Sequence, residues 1–245
     1  MTSNQLSQDE VKVILRAADE IIARGGRTLL TKILKGSREK KILELELDKC
    51  PVYGYFKSEK LDDIREKVDC MVNHDFLDIE YNGKLPMIIF TERGWLIQSD
   101  QYTNELLEEW MEWIKQGKRD PDMMYLKDRN REIIFLLLEK IKGSGNQSFI
   151  PYLELWKKIE YKKVQTEITK VITALEQNNP VDGKAEQERK KRIGEALEIN
   201  EPQDLLLKCW ICGDRFIFTV GEQQFHKKKG LSLPKRCGKC RHSYE

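Results

Sequence analysis

Two cysteine pairs near the C-terminus constrain the fold of this chain more than any other feature. They are Cys209-Trp210-Ile211-Cys212 and Cys237-Gly238-Lys239-Cys240. Two thiolates three positions apart in a tight turn can share one tetrahedral Zn²⁺, and a second such turn completes the four sulfurs of a structural site. The sequence therefore predicts one structural zinc ion, held by Cys209, Cys212, Cys237 and Cys240. Disulfides or a redox-active pair are the alternatives, and they fit less well, because the polar N-terminus does not have the pattern of a secretory signal.

Four cysteine ligands leave no open coordination position, so the predicted metal has no place for a catalytic water. Residues 205–245 contain few large apolar side chains, and we expect their folding to be coupled to metal binding. The same segment carries nine basic and three acidic residues in a chain of net charge +2. A basic end of this kind is typical of a segment that meets phosphate.

Composition argues against a membrane protein. Charged residues make up 34% of the chain, and the longest apolar run, Ile133–Leu138, is too short to span a bilayer. Six cysteines, four of them with metal-binding spacing, fit a reducing cytoplasm, with Cys50 and Cys70 as ordinary thiols. We expect a cytoplasmic protein without a membrane partner.

The first hundred residues show three helical segments and then a hairpin. Apolar residues recur at helical spacing over Val11–Ile22, Leu29–Leu34 and Leu61–Val72, with Ser58 as a predicted helix cap. Phe76–Tyr81 alternates at period two, Asn82-Gly83 is a type I′ turn signal, and Lys84–Phe90 returns as the second strand. This order predicts a winged helix.

Several short blocks carry a resemblance to a known family. They are Leu34-Lys35-Gly36-Ser37, the Tyr53-Gly54 loop, Met71–Leu77 and Phe90-Thr91-Glu92-Arg93-Gly94-Trp95. The stretch from Glu10 to Gln98 resembles the RQC winged-helix domain of RecQ-family DNA helicases. The whole chain resembles a group of stand-alone bacterial DNA-binding proteins called RQC-minor.

The basic run from Arg24 to Lys41 is either a solvated face or a phosphate-binding surface, and its position beside a wing favours phosphate binding. The resemblance implies that residues around the Gly-Ser turn and the third helix hold DNA phosphates, and that the wing meets a duplex end. The predicted nucleic-acid contacts in this region are Arg27, Lys35, Ser37, Arg38, Lys41, Lys57, Ser58, Lys60 and, at the wing tip with Asn82 and Gly83, Lys84.

The sequence departs from the helicases in two ways. No G-x-x-x-x-G-K-[ST] phosphate loop occurs in the 245 residues, so no helicase motor is present in them. The wing is short and has no aromatic residue at its tip; Tyr81 is the nearest, and packing is the role we expect for it. A strand-separating wedge is not predicted.

The middle of the chain is helical. A helix over Thr103–Lys115 carries Trp110 and Trp113 on a stripe that predicts a core or docking face, with base stacking as the lesser alternative. The helices over 149–177 weakly resemble HEAT-type repeats. We predict a mostly α protein with small β elements: a winged helix (1–98), a helical, HEAT-like segment (99–178), a charged linker (179–204) and a four-cysteine zinc ribbon (205–245).

The C-terminal segment carries a second resemblance. Cys209-Trp210-Ile211-Cys212-Gly213, Gly221-Glu222-Gln223-Gln224-Phe225 and Pro234–Arg241 follow one another as in a small zinc-ribbon family with an assumed nucleic-acid role. Further nucleic-acid contacts are predicted at Lys227, Lys228, Lys229, Lys235 and Arg236. His226 and His242 are weak alternatives as metal ligands, since four cysteines are already in register.

Nothing in the sequence predicts an enzyme: the three histidines have no nucleophile pattern near them, and no catalytic residue or small-molecule substrate is assigned. We predict a DNA-binding protein of the bacterial nucleoid that holds duplex or branched DNA in repair, recombination or replication, with a helicase or repair protein as a further partner. One alternative is RNA or ribosome binding through the ribbon. Another is a protein adapter that docks through the helical segment.

Overall fold

The computed structural model describes residues 6–177, 183–199 and 203–242. Contacts divide them into two compact units: one holds the described residues up to Trp95 and those from Leu197 onward, and the other runs from Leu96 to Ala196. Helices dominate, and the described strands form two small two-stranded sheets. The fold class, mostly α with small β, is confirmed. None of the described helices combines the length and the apolar character needed to cross a membrane.

The first unit begins with the predicted helices and hairpin. Its elements are α1 (Gln8–Asp19), α2 (Arg27–Lys35), α3 (Lys40–Glu44), α4 (Leu61–Asn73), β1 (Leu77–Asn82) and β2 (Leu85–Phe90). The short helix α3 adds to the predicted order, because five residues are too few to show helical periodicity. Lys60, and not the predicted Ser58, occupies the cap position of α4. Ile14, Leu30, Val68 and Ile88 are fully buried in the core of this part.

The hairpin of β1 and β2 is the wing. Its register pairs Asn82 with Leu85, so the loop consists of Gly83 and Lys84. Gly83 has a φ of +62°, whereas neither Asn82 nor Lys84 has a positive φ. The predicted type I′ turn over Asn82-Gly83 is therefore wrong by one residue, and glycine occupies the first loop position, as in type II′ turns. A Cβ placed on Gly83 would meet nothing within 4 Å.

Helix α5 (Glu92–Gln116) begins in close backbone contact with the residue before β1. The Thr91 hydroxyl donates to the carbonyl oxygen of Asp75 and accepts the Gly94 N–H at 3.1 Å, so it caps the helix. A Cβ on Gly94 would lie 1.9 Å from the carbonyl oxygen of Phe76. The Thr-x-x-Gly pattern thus has a physical reason: threonine caps α5, and glycine lets it approach the backbone.

The second unit has an aromatic core. It contains the rest of α5, α6 (Arg131–Ser144), α7 (Ile150–Ile159), α8 (Lys162–Glu176) and most of α9 (Lys184–Leu197). Trp110 is fully buried and contacts Trp156 edge-on, with 5.7 Å between ring centroids. Trp113 is also buried, next to Trp110. The tryptophan stripe is therefore core. The HEAT-like assignment and the four-segment division of the chain stay predictions, and part of the predicted linker, residues 179–182 and 200–202, lies outside the described residues.

The C-terminal module, residues 203–242, contains β3 (Leu205–Lys208), β4 (Arg215–Phe218), α10 (Val220–Lys229) and α11 (Gly238–His242). The strands are antiparallel, with Leu205 opposite Phe218. Helix α10 starts with a capping box in which the Thr219 side chain accepts the Glu222 N–H and Glu222 accepts the Thr219 N–H. The apolar residues of α10 form no helical stripe, so the sequence pattern does not predict this helix.

The C-terminal module is seated on the wing and on α4, within the same unit. The Lys227 ammonium lies 2.7 Å from an Asp75 carboxylate oxygen and donates to the Asn73 carbonyl at 2.9 Å. Gly230, which ends α10, lies against the wing: a Cβ there would be 2.7 Å from the ring of Tyr81. Tyr81 thus packs against the end of α10 and stays 44% exposed, and its packing role stays a prediction.

We expect Gly94→Ala to destabilise the first unit by about 3 kcal/mol, because the added methyl group would have to displace the backbone at Phe76. Urea unfolding measures this change. Gly143→Ala is the control: Gly143 lies inside α6 with nothing within 4 Å of its added Cβ, so this variant should be about 0.5–1 kcal/mol more stable. An unchanged unfolding midpoint for Gly94→Ala would contradict the close packing of α5.

Candidate metal centre and nucleic-acid interface

The structure brings the four predicted zinc ligands together. One Sγ atom each from Cys209, Cys212, Cys237 and Cys240 lies within 4.8 Å of the others, and the Cys212 and Cys237 sulfurs are 3.8 Å apart. Zn–S bonds of about 2.3 Å at tetrahedral angles place sulfurs roughly 3.8 Å apart. The donor set and its spacing therefore fit one structural Zn²⁺, as predicted.

Backbone hydrogen bonds position the first cysteine pair. The Cys209 N–H donates to the Asp214 carbonyl at 2.8 Å, and the Gly213 N–H donates to the Cys209 carbonyl at 3.0 Å. Gly213 ends this turn with a φ of +76°, a backbone conformation that favours glycine. The knuckle, residues 209–214, thus connects β3 to β4 and turns both sulfurs toward the second pair.

The second pair differs from the predicted turn, because Cys237 immediately precedes α11 and Cys240 lies within it. The Cys237 N–H donates to the Cys209 sulfur at 3.4 Å. This hydrogen bond, together with one from the Cys212 backbone, lowers the pKa of Cys209 to about 6. The knuckle therefore holds the first pair and a helix start holds the second, and together they form the predicted four-cysteine zinc-binding module.

The metal replaces a hydrophobic core in this module. Among its described residues only Cys209, Phe218 and Cys237 are buried, and two of these are ligands. Phe218 packs edge-on against His226, whose Nδ1 lies 2.9 Å from the Ser232 carbonyl. His226 therefore stands outside the cysteine cluster, and the side chain of His242 lies outside the described residues.

A second candidate site is a basic rim around the end of α2 and the loop before α4. Gly36 and Gly54 both have left-handed backbones, and a Cβ on Gly36 would lie 3.0 Å from the Cα of Gly54. The loop is fixed to α2 by the Gly54 N–H, which donates to Ile33 at 2.9 Å, and by the Tyr53 hydroxyl, which donates to the Ser37 carbonyl at 2.9 Å. Close glycine contact therefore brings two distant stretches of predicted phosphate ligands side by side.

Some predicted nucleic-acid contacts face solvent. Arg38, Lys41, Lys57, Ser58 and Lys60 are exposed on the rim, and Lys84 is exposed at the wing tip. Apart from Ser58 these residues are cations, and within the described part of the chain none of the five forms an ion pair. Glu39, the nearest acidic residue in sequence to Arg38, is paired with Lys32 at 2.7 Å. The rim therefore presents basic side chains that form no ion pair with a described carboxylate.

Other predicted contacts are engaged within the protein. Arg27 pairs with Asp69 at 2.6 Å, and the Lys35 ammonium donates to the Lys57 carbonyl at 2.8 Å. Ser37 is half-buried beside this contact. These residues hold α2 against α4 and the loop, and sequence reasoning could not separate them from free cations, because their partners are distant in the chain.

The basic residues of the C-terminal module divide in the same way. Lys227 forms an ion pair with Asp75, which holds the module against the base of the wing. Lys229, Lys235 and Arg236 are exposed, and the side chain of Lys228 lies outside the described residues. The module therefore keeps basic side chains on its surface after its docking lysine is accounted for.

We expect Cys240→Ser or treatment with a strong chelator to remove one zinc ion per chain and to unfold the C-terminal module, since little apolar surface is buried there. Zinc analysis and limited proteolysis measure both effects, with new cleavage after residue 203. Cys70→Ser is the control, because Cys70 lies on α4 away from the cluster, and burial raises the pKa of its thiol. Full zinc content in Cys240→Ser would contradict the four-cysteine site.

Comparison with known proteins agrees with this geometry. Residues 7–106 match the family described as RQC domain, and residues 203–245 match the family described as probable treble clef domain. The chain is 25% identical over 85 residues to the ATP-dependent DNA helicase RecQ of Bacillus subtilis (strain 168). This match covers 35% of the chain and 14% of the helicase. No solved structure matches the chain significantly.

A treble clef is the family description that fits a knuckle, a hairpin and a helix start around one metal. Helices α1 to α4 and the wing likewise lie within the stretch that matches the RQC family. The chain therefore carries an RQC domain, related to that of RecQ, and a treble clef zinc-binding domain.

Proposed function

We propose that this chain is a non-enzymatic DNA-binding protein whose RQC domain holds phosphates of duplex or branched DNA. The observation that carries the proposal is the basic rim, where Arg38, Lys41, Lys57 and Lys60 are exposed without ion-pair partners among the described residues. The first hundred residues contain more acidic than basic residues, so the positive charge of the rim is a local feature of this part of the chain. Cations that meet phosphates release counterions, and binding therefore weakens steeply with salt.

The C-terminal module supplies the second contact in this proposal. Its basic excess lies on a module that is seated on α4 and the wing through Lys227. A second contact held at a fixed position needs no further ordering when DNA binds, whereas a flexibly tethered one does. We propose a role in repair, recombination or replication, with a helicase or repair protein as a further partner.

RNA or ribosome binding through the C-terminal module is the second candidate. It is favoured by the charge distribution, since residues 205–245 carry nine basic and three acidic residues. A protein adapter is the third candidate. Its predicted docking face carries Trp110 and Trp113, and their burial argues against it.

The test is fluorescence anisotropy with zinc-loaded protein on forked DNA, blunt duplex, single-stranded DNA and an RNA hairpin at two salt concentrations. We expect forked or blunt duplex DNA to bind best. Arg38→Glu with Lys41→Glu should weaken that binding at least about tenfold and reduce the salt slope by about 2, one for each lost phosphate contact.

The matched control is Lys162→Glu with Lys163→Glu, which changes the net charge equally at exposed positions of α8 and should leave binding nearly unchanged. RNA binding as tight as DNA binding that survives the rim substitutions would assign the function to the C-terminal module. The absence of binding at low salt would leave the protein adapter.

A further inference from the structure

Trp210 has an unusual position on the knuckle. It is 73% exposed, the largest exposed fraction among the large apolar side chains of the described residues. By contrast, Trp110 and Trp156 are fully buried. Tryptophan is highly buried on average, so an indole that is mostly exposed offers an aromatic surface to a ligand.

The metal site and its neighbours hold this indole in place. Trp210 lies between the ligands Cys209 and Cys212, and its backbone N–H donates to the Lys235 carbonyl at 2.9 Å. The Lys235 ammonium lies 4.7 Å from the centre of the indole ring. This cation–π contact covers one face of the ring, so the exposed area includes the other face.

Positive charge surrounds the knuckle. Lys208 and Arg215 lie directly opposite each other across β3 and β4, and both are exposed. Like charges in such a pair repel each other, and an anion between them would relieve the repulsion. Asp214 is the acidic residue of the knuckle, and four thiolates on Zn²⁺ carry a formal charge of −2, so part of this positive charge offsets the metal site.

We propose that Trp210 stacks on an unpaired nucleobase of single-stranded DNA, while Lys208, Arg215 and Lys235 bind the adjacent phosphates. Both faces of a base inside a duplex are covered by its neighbours, whereas an unpaired base offers a free face to the indole, and such stacking tolerates any base. A lysine ammonium over the ring and a pair of cations where the strands meet the knuckle favour a polyanion over an apolar protein surface. This inference rests on the proposed DNA-binding function and names its substrate: a duplex with a single-stranded extension.

The test compares three ligands with zinc-loaded full-length protein: a blunt duplex, the same duplex with an oligo-dT tail, and the same duplex with an abasic tail of equal phosphate number. Tails of both polarities are used. We expect the dT tail to bind about tenfold more tightly than the abasic tail, the effect of stacking one base on an aromatic ring. In Trp210→Ala the two tails should bind equally, with blunt-duplex affinity and zinc content unchanged.

Two variants serve as controls. Trp210→Phe keeps an aromatic face and should retain most of the preference for bases. Ile217→Ala removes another exposed apolar side chain of the same module, 60% exposed on β4, and should retain all of it.

Equal binding of dT and abasic tails by the unmodified protein would overturn the inference, as would a preference for bases that persists in Trp210→Ala. Failure of the proposed rim function gives a different result. The blunt duplex would then not bind at all, while oligo-dT alone would still bind more tightly than an abasic strand, in a manner that depends on Trp210, and the stacking site would be supported without the rim.

Discussion

Coordination of one divalent ion by four thiolates is the constraint on which the C-terminal module depends. Its described residues bury almost nothing except Phe218 and two of the ligands, so the metal takes the place of a core. With the knuckle and α11 fixed, α10 has a defined position, and Lys227 meets Asp75 at the base of the wing. The metal therefore also supports the contact between Lys227 and Asp75, because this contact requires a folded module.

In the N-terminal part, glycines allow close backbone contacts that a side chain would block. Gly36 and Gly54 let the end of α2 and a distant loop approach within van der Waals contact, and Gly94 admits α5 to the backbone at Phe76. The exposed cations of the rim belong to segments that these contacts hold together. The exposed cations of this surface are thus positioned by residues that have no side chain of their own.

The sequence alone predicted the features that have the strongest local pattern. The cysteine spacing gave the zinc site, and the alternation from Phe76 to Tyr81 gave the wing. What it did not predict depends on partners distant in the chain. Lys35 and Lys227 resemble free phosphate ligands in the sequence, but their ammonium groups are engaged with Lys57 and Asp75. The turn was displaced by one residue because register is set by the pairing of both strands, and helix α10 carries no apolar stripe that could reveal it.

The wing is supported along β1 and open at its turn. Gly230 lies against Tyr81 near the loop end of β1, whereas a Cβ added to Gly83 would meet nothing within 4 Å. Insertions of a few residues between Asn82 and Leu85 would disturb no packed group and would cost little loop entropy. Relatives could therefore diverge in wing length while keeping the supporting contacts. For protein engineering, this loop is an insertion point at which a new reading element could be grafted without rebuilding the domain.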